Sequence, residues 1–253
     1  MRFCQCCDSL SNTNIINNIN ITIVDEINLN GELIIKYCEK CYFYFLESNN
    51  NQADYDYYYL NYNNYKNYVL SNDKDKECSI YLKNNLDKNV KTIIDYGCGN
   101  KILSEYLNST YDVDNYDIGM NNIDKKYDCL VLSHVLEHIY DINPFIENLK
   151  KYIKNDGYLY IEVPNMEYYK EFINFGPLQE ISLEHINFFS KYSLSKLMIN
   201  NNFIPIKVED SYFHINENKY YIIRGIFKIN SNNNSFETYL NNGFNIINSI
   251  NIK

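Results

Sequence analysis

The chain has no apolar run near the roughly 20 residues that a membrane-spanning helix needs, so no segment of it reads as transmembrane. Its first residues, Met1-Arg2-Phe3-Cys4, lack the apolar core of a secretory leader. Basic residues are in deficit: 23 Lys and Arg against 32 Asp and Glu leave a formal charge of −9. A large nucleic-acid footprint needs a basic face, so nucleic acid is not an expected partner. No membrane partner is expected either. These absences predict a cytoplasmic protein whose cysteines stay reduced.

What is present fits one α/β domain with a small accessory module in 253 residues. Abundant Asn, Ile, Lys and Tyr read as biased codon use, so single Asn and Tyr residues carry little information. Five of the eight cysteines cluster near the N-terminus. Cys4-Gln5-Cys6-Cys7 and Cys38-Glu39-Lys40-Cys41 form two C-x2-C pairs about thirty residues apart. Each turn aims two thiolates at one point, and two turns make a tetrahedral Cys4 set suited to structural zinc. Strand-like runs at Asn20–Val24 and Glu32–Lys36 lie between them, the layout of a zinc ribbon over residues 1–45. So short a segment buries little apolar surface, and metal binding would supply the missing folding energy. Cys4, Cys7, Cys38 and Cys41 are the expected ligands; Cys6 is left over, either free or competing with a neighbour. Residues 46–88 hold a tyrosine-rich stretch from Asp54 to Tyr68, then a helix from Lys76 to Leu86. The tyrosines either pack on the next domain or line a substrate cleft, with Tyr57 the candidate for the latter.

Residues 89–230 alternate strands and helices, which predicts a mostly parallel sheet. Strands are expected at Thr92–Tyr96, Asp112–Ile118, Tyr127–Ser133, Tyr158–Val163, Phe203–Val208 and Tyr220–Ile229. Helices are expected at Ile142–Ile153, ended by Asn155-Asp156-Gly157, and at Ser193–Asn201. Residues 231–253 read as a polar tail.

The most telling stretch is Ile93-Ile94-Asp95-Tyr96-Gly97-Cys98-Gly99, a strand running into a glycine bend before a helix at Ile102–Leu107. Glycine is needed where backbone turns sharply and approaches a ligand without a Cβ in the way. Asp117 ends the next strand, 22 residues after Asp95. There a carboxylate can hold both hydroxyls of a ribose. Asp95, Gly97, Cys98, Gly99 and Asp117 therefore outline a nucleoside site. The third glycine of a dinucleotide fingerprint falls on Ile102, which argues against NAD.

The acid followed by Gly-x-Gly resembles motif I of the class I S-adenosylmethionine (SAM)-dependent methyltransferases. The stretch Tyr127–Ile139, with Leu136-Glu137-His138, resembles that family's fourth-strand motif. Leu149–Leu159 and Glu162-Val163-Pro164-Asn165 resemble its fifth-strand region, and the likeness covers most of residues 90–210. It implies a Rossmann-like sheet, SAM as cofactor, and Ser133 and His134 beside it. His138 with Glu137 reads as structural, and His214 has no assigned role. Two departures stand out. Lys101 occupies a common glycine position. The stretch from Asp117 to Asp128 is also too short for the family's third strand, whose loss takes away the usual adenine partner; Asp124 is the nearest substitute.

The cysteine module ahead of such a domain, and Glu184-His185 after the fifth strand, resemble sugar C-methyltransferases acting on nucleotide-linked keto-sugars. The resemblance implies His185 as proton acceptor, with Glu184 orienting it or binding a substrate hydroxyl, and a tyrosine such as Tyr57 nearby. Ser182 replaces a tyrosine common in that group. Three functions stay open: methylation of a small molecule such as a nucleotide sugar, methylation of another metabolite or a macromolecule, and a zinc-ribbon interaction protein that has lost catalysis.

Overall fold

The computed structural model describes residues 2–7, 13–19, 29, 33–61, 72–169 and 180–230. The strand expected at Asn20–Val24, the end of the tyrosine-rich stretch and the polar tail lie outside them. Among the described residues, no helix is long and apolar enough to cross a membrane.

In chain order the elements are β1 (Thr13–Ile19), β2 (Leu33–Cys38), β3 (Phe43–Glu47), α1 (Gln52–Asn61), α2 (Asn72–Asn85), β4 (Thr92–Tyr96), α3 (Ile102–Leu107) and β5 (Asp112–Tyr116). They continue with β6 (Tyr127–Ser133), α4 (Ile142–Leu149), β7 (Ile153–Pro164), β8 (Asn187–Phe188), α5 (Lys191–Asn200), β9 (Phe203–Ile215) and β10 (Asn218–Ile229). The main sheet has the order β5-β4-β6-β7-β10-β9. Its first four strands are parallel, and the β9–β10 hairpin adds antiparallel to β7. No strand lies beyond β5 among the described residues, in keeping with the expected loss of the third strand.

The central strands are apolar on both faces, as parallel strands covered by helices must be. Successive side chains point to opposite sides. Ile94, Leu130, Leu132, Leu159 and Ile161 pack with α4 and α5 residues such as Ile146 and Leu197. Ile93, Cys129, Val131 and Tyr160 pack with α2 and α3 through Leu82 and Leu103. The first layer also takes in Cys4, Cys38, Phe43 and Phe45, so the N-terminal module shares the main core.

Two expectations are corrected. The helix from Ile142 stops at Leu149, a 3-10 turn covers Lys150–Tyr152, and β7 already begins at Ile153. Ile153 is drawn into pairing with Tyr127, and Asn155-Asp156-Gly157 forms an irregularity inside that strand, with Asp156 at φ 63°. The strand expected at Phe203–Val208 runs on to Ile215, because β10 pairs with it along its whole length. In the N-terminal module β1, β2 and β3 are antiparallel, and β8 from the far end of the chain adds to β3 through Tyr44–Phe188 and Phe45–Asn187.

Arg224 and Glu162 face each other across β10 and β7. Both are buried, and Arg224 Nε donates to Glu162 Oε2 at 2.8 Å. Tyr160 OH donates to the same oxygen at 2.8 Å. Removing one partner of a buried pair strands the other charge. Arg224→Met should lower unfolding free energy by about 3–5 kcal/mol. Urea denaturation would show this as a lower midpoint at unchanged slope; a loss under about 0.5 kcal/mol would contradict it.

Candidate functional site

The glycine bend is tied to the end of β5. Gly97 N and Cys98 N both donate to the Tyr116 carbonyl, at 2.8 and 3.1 Å. Gly99 N donates to Asp117 Oδ2 at 2.9 Å, and Ile118 N to Oδ1 at 2.8 Å. Gly97 has φ 82°, and a Cβ there would come within 2.5 Å of Val135 Cγ2. Gly99 has φ 48° and open space where a Cβ would project. Lys101 has φ 66°, so the usual glycine position keeps its left-handed backbone without glycine, at a cost of about 1 kcal/mol.

Beside this bend a cleft of about 450 Å³ opens, within the range of small-ligand sites. Gly97, Asp117, Ile118 and Val135 line one side, and Tyr59 of α1 and Phe145 of α4 another. Tyr96 supports it, its ring 4.5 Å from Tyr116 and 5.8 Å from Phe145. Of the residues expected to hold a nucleoside, Gly97 and Asp117 line the cleft, and Gly99 belongs to the same bend through Asp117. Asp95, Cys98 and Ser133 are buried. Burial pushes the Asp95 carboxyl up to about 7, with Asp75 and Asp117 adding to the rise and Lys74 opposing it. Asp124 is exposed, beside Lys125 and Lys126 and not among the cleft residues.

His134 is turned away from the cleft, with φ 55°. Its Nδ1 lies 3.2 Å from Glu137 and its Nε2 3.6 Å from Glu162, and its ring packs against Phe213 and Tyr220. Burial alone would lower its pKa, but the two carboxylates raise it to about 9. Burial likewise works against charge on Glu137 and Glu162, yet His134 contributes to holding both near 2.

His138, read from sequence as structural, reaches the cleft. Its Nδ1 lies 2.9 Å from Tyr59 OH and 3.0 Å from the Glu184 carbonyl. Its ring meets that of His185 edge-on at 4.7 Å. His185 Nδ1 is 3.1 Å from Glu180 Oε2, which also accepts from Tyr220 OH at 2.7 Å. Burial lowers the His138 pKa; in His185 burial is outweighed by Glu180, and the pKa rises. Glu184 accepts a hydrogen bond from Tyr58 OH. Tyr57 is 62% exposed, whereas Tyr58 is buried. Neighbouring helix residues point about 100° apart, so Tyr58 and Tyr59, and not Tyr57, face the Glu184–His185 segment. Sequence reasoning missed His138, Tyr58, Tyr59 and Glu180. The position of Leu136-Glu137-His138 straight after a parallel strand was the available signal for His138.

A second cluster lies in the N-terminal module. One sulfur from each of Cys4, Cys7, Cys38 and Cys41 falls within 4.8 Å of the other three. Cys4 and Cys41 are 3.2 Å apart, Cys7 and Cys38 3.6 Å, and Cys7 and Cys41 3.7 Å. Sulfurs held at about 2.3 Å from one tetrahedral zinc are about 3.8 Å apart, so the donor set fits the ion. Cys6 lies outside it, with its sulfur 3.8 Å from the Ser193 carbonyl. None of the eight cysteines is in a disulfide.

A family model described as "Methyltransferase domain" matches residues 71–208. No curated protein matches the chain. Among solved structures, the chain is similar to the 1,6-didemethyltoxoflavin-N1-methyltransferase of Burkholderia thailandensis, with bound 1,6-didemethyltoxoflavin and S-adenosylhomocysteine. That likeness has a TM-score of 0.52 at 10% identity, over 83% of this chain and 99% of the other. It is also similar to a SAM-dependent methyltransferase of Archaeoglobus fulgidus (TM-score 0.47, 16% identity, 68% and 99% covered). A third is the magnesium protoporphyrin IX methyltransferase of Synechocystis (TM-score 0.47, 12% identity, 73% and 90% covered).

The charged cluster makes stability depend on pH. The folded His134 pKa, about 9, lies above its ordinary 6.5. Its stabilising contribution is therefore full below pH 6.5 and lost as pH rises through about 9. Denaturation curves of the wild type and His134→Gln should differ most below pH 6.5 and converge toward pH 10. A difference that stays constant over that interval would disprove the assignment.

Proposed function

This chain belongs to the methyltransferase-domain family and is a methyltransferase, and on that premise we propose that it uses SAM to methylate a small molecule. The observation that carries this reading is the cleft bounded by the Gly97–Gly99 bend and Asp117. SAM, when bound, supplies an electrophilic methyl group on a sulfonium. Asp117 would hold the ribose hydroxyls, Ile118 and Val135 would flank the adenine, and Asp95, Cys98, Gly99 and Ser133 would shape the floor. His134, turned inward, would support that floor.

The acceptor side is the Tyr58–Glu184–His185 corner. Its link to the cleft is His138, whose ring meets that of His185. His185 would take the acceptor's proton through Nε2, since its Nδ1 faces Glu180. A carboxylate on one imidazole nitrogen fixes the ring and strengthens the other as a base. Glu184 would bind an acceptor hydroxyl, with Tyr58 fixing its carboxylate. A nucleotide-linked sugar is the acceptor class we favour, from the pairing of a cysteine module with Glu184-His185. The relative holding 1,6-didemethyltoxoflavin supports small acceptors in general. The four-cysteine set would hold one structural zinc.

Calorimetry with S-adenosylhomocysteine should give binding that Asp117→Ala weakens by about tenfold or more, the loss of charge-assisted hydrogen bonds. No binding to the wild type would overturn the reading. With labelled SAM, a panel of nucleotide sugars should take up the methyl group; label found only in protein or RNA would exclude the sugar. Metal analysis should give about one zinc per chain, lost in Cys38→Ser/Cys41→Ser; a folded, metal-free wild type would remove zinc from the account.

A further inference from the structure

Arg2 stands two residues before Cys4 and is only 2% exposed. Among the described residues, none of its hydrogen bonds goes to a carboxylate. Its Nη1 donates to the carbonyls of Leu46 (3.3 Å) and Ile186 (3.0 Å). Its Nη2 donates to the carbonyls of Ile139 (3.3 Å) and Tyr140 (2.7 Å) and to Asn187 Oδ1 (2.7 Å). The Tyr140 ring lies 4.8 Å from the guanidinium carbon. Burying a cation away from water is unfavourable unless its donors find oxygens. The rigid five-donor fork is the one side chain that can satisfy so many oxygens at once.

The oxygens it gathers come from three segments: the end of β3, the residues after His138, and the residues after His185. Asn187 repeats the tie, its Nδ2 donating to the carbonyls of Leu136 (3.0 Å) and Ile139 (2.7 Å). Ile186 N donates to the Glu137 carbonyl, and Leu46 N to the Ile186 carbonyl, both at 2.9 Å. The backbone on both sides of the two facing imidazoles therefore converges on one guanidinium, anchored beside the cysteine centre.

We propose that Arg2 is a positioning residue through which the Cys4-Cys7-Cys38-Cys41 centre fixes the segments carrying His138, Glu184 and His185. The catalytic meaning of this tether rests on the acceptor-side reading above. The tether itself does not.

The test uses NMR of the full chain labelled in histidine, which would report on the four imidazoles at 134, 138, 185 and 214. In Arg2→Met the His138 and His185 signals should shift and broaden, while His214, on β9 against Tyr212, stays in place. The Ile186 amide should exchange with solvent about tenfold faster or more. Metal content should remain within about twofold, since Arg2 donates to none of the four cysteines. Asn187→Ala, which removes one acceptor of the guanidinium, should move the same two imidazoles and decides the matter alone if Arg2→Met does not fold. Unmoved His138 and His185 signals in a folded variant overturn the tether. Absence of S-adenosylhomocysteine binding in the wild type would instead remove the methyl-transfer reading and leave the NMR result standing.

Discussion

The cleft exists because the turn after β4 is tied to the end of β5. Two amides on the Tyr116 carbonyl and one on the Asp117 carboxylate replace the partners that this backbone would otherwise seek from water. Parallel strands place both chain ends at one edge of the sheet, so the bend and the acid meet there as a result of topology. Gly97 lets the turn pass beneath Val135 with no space left for a methyl group. A residue with a Cβ would push apart the two loops that bound the cleft.

Much of this is legible from residues alone. Thr92–Tyr96 and Tyr127–Ser133 each hold an apolar centre, Ile93-Ile94 and Cys129-Leu130-Val131-Leu132, between polar residues, and as buried parallel strands they have the same ends in sequence and structure. The bend and its acid follow from glycine chemistry and strand spacing. The end of α4 does not. An amphipathic pattern carries on through Lys150–Tyr152, and only the pairing of Ile153 with Tyr127 decides where the helix stops. The second half of β9 is likewise hidden, because Glu209, Asp210 and Ser211 read as loop residues until β10 pairs with them at the sheet edge.

The corner proposed for the acceptor is half legible. Glu184 and His185 stand out as a pair, but their partners are set by distant contacts: Tyr58 from α1, Glu180 from the loop before, His138 from the turn after β6. Helical phase, which separates Tyr57 from Tyr58, cannot be read from a run of three tyrosines. Two imidazoles 4.7 Å apart also shift in opposite directions: burial lowers both, and the Glu180 carboxylate at the Nδ1 of His185 outweighs it there.

The small sheet that β1 begins is finished by β8, through Tyr44–Phe188 and Phe45–Asn187. During synthesis the first cysteine turns therefore emerge well before the strand that completes their sheet. Domains usually fold as their residues leave the ribosome, but here the strand that completes the amino-terminal sheet comes only after β4, β5, β6 and β7 of the larger one. A chain interrupted before residue 187 would carry cysteines with an unfinished scaffold.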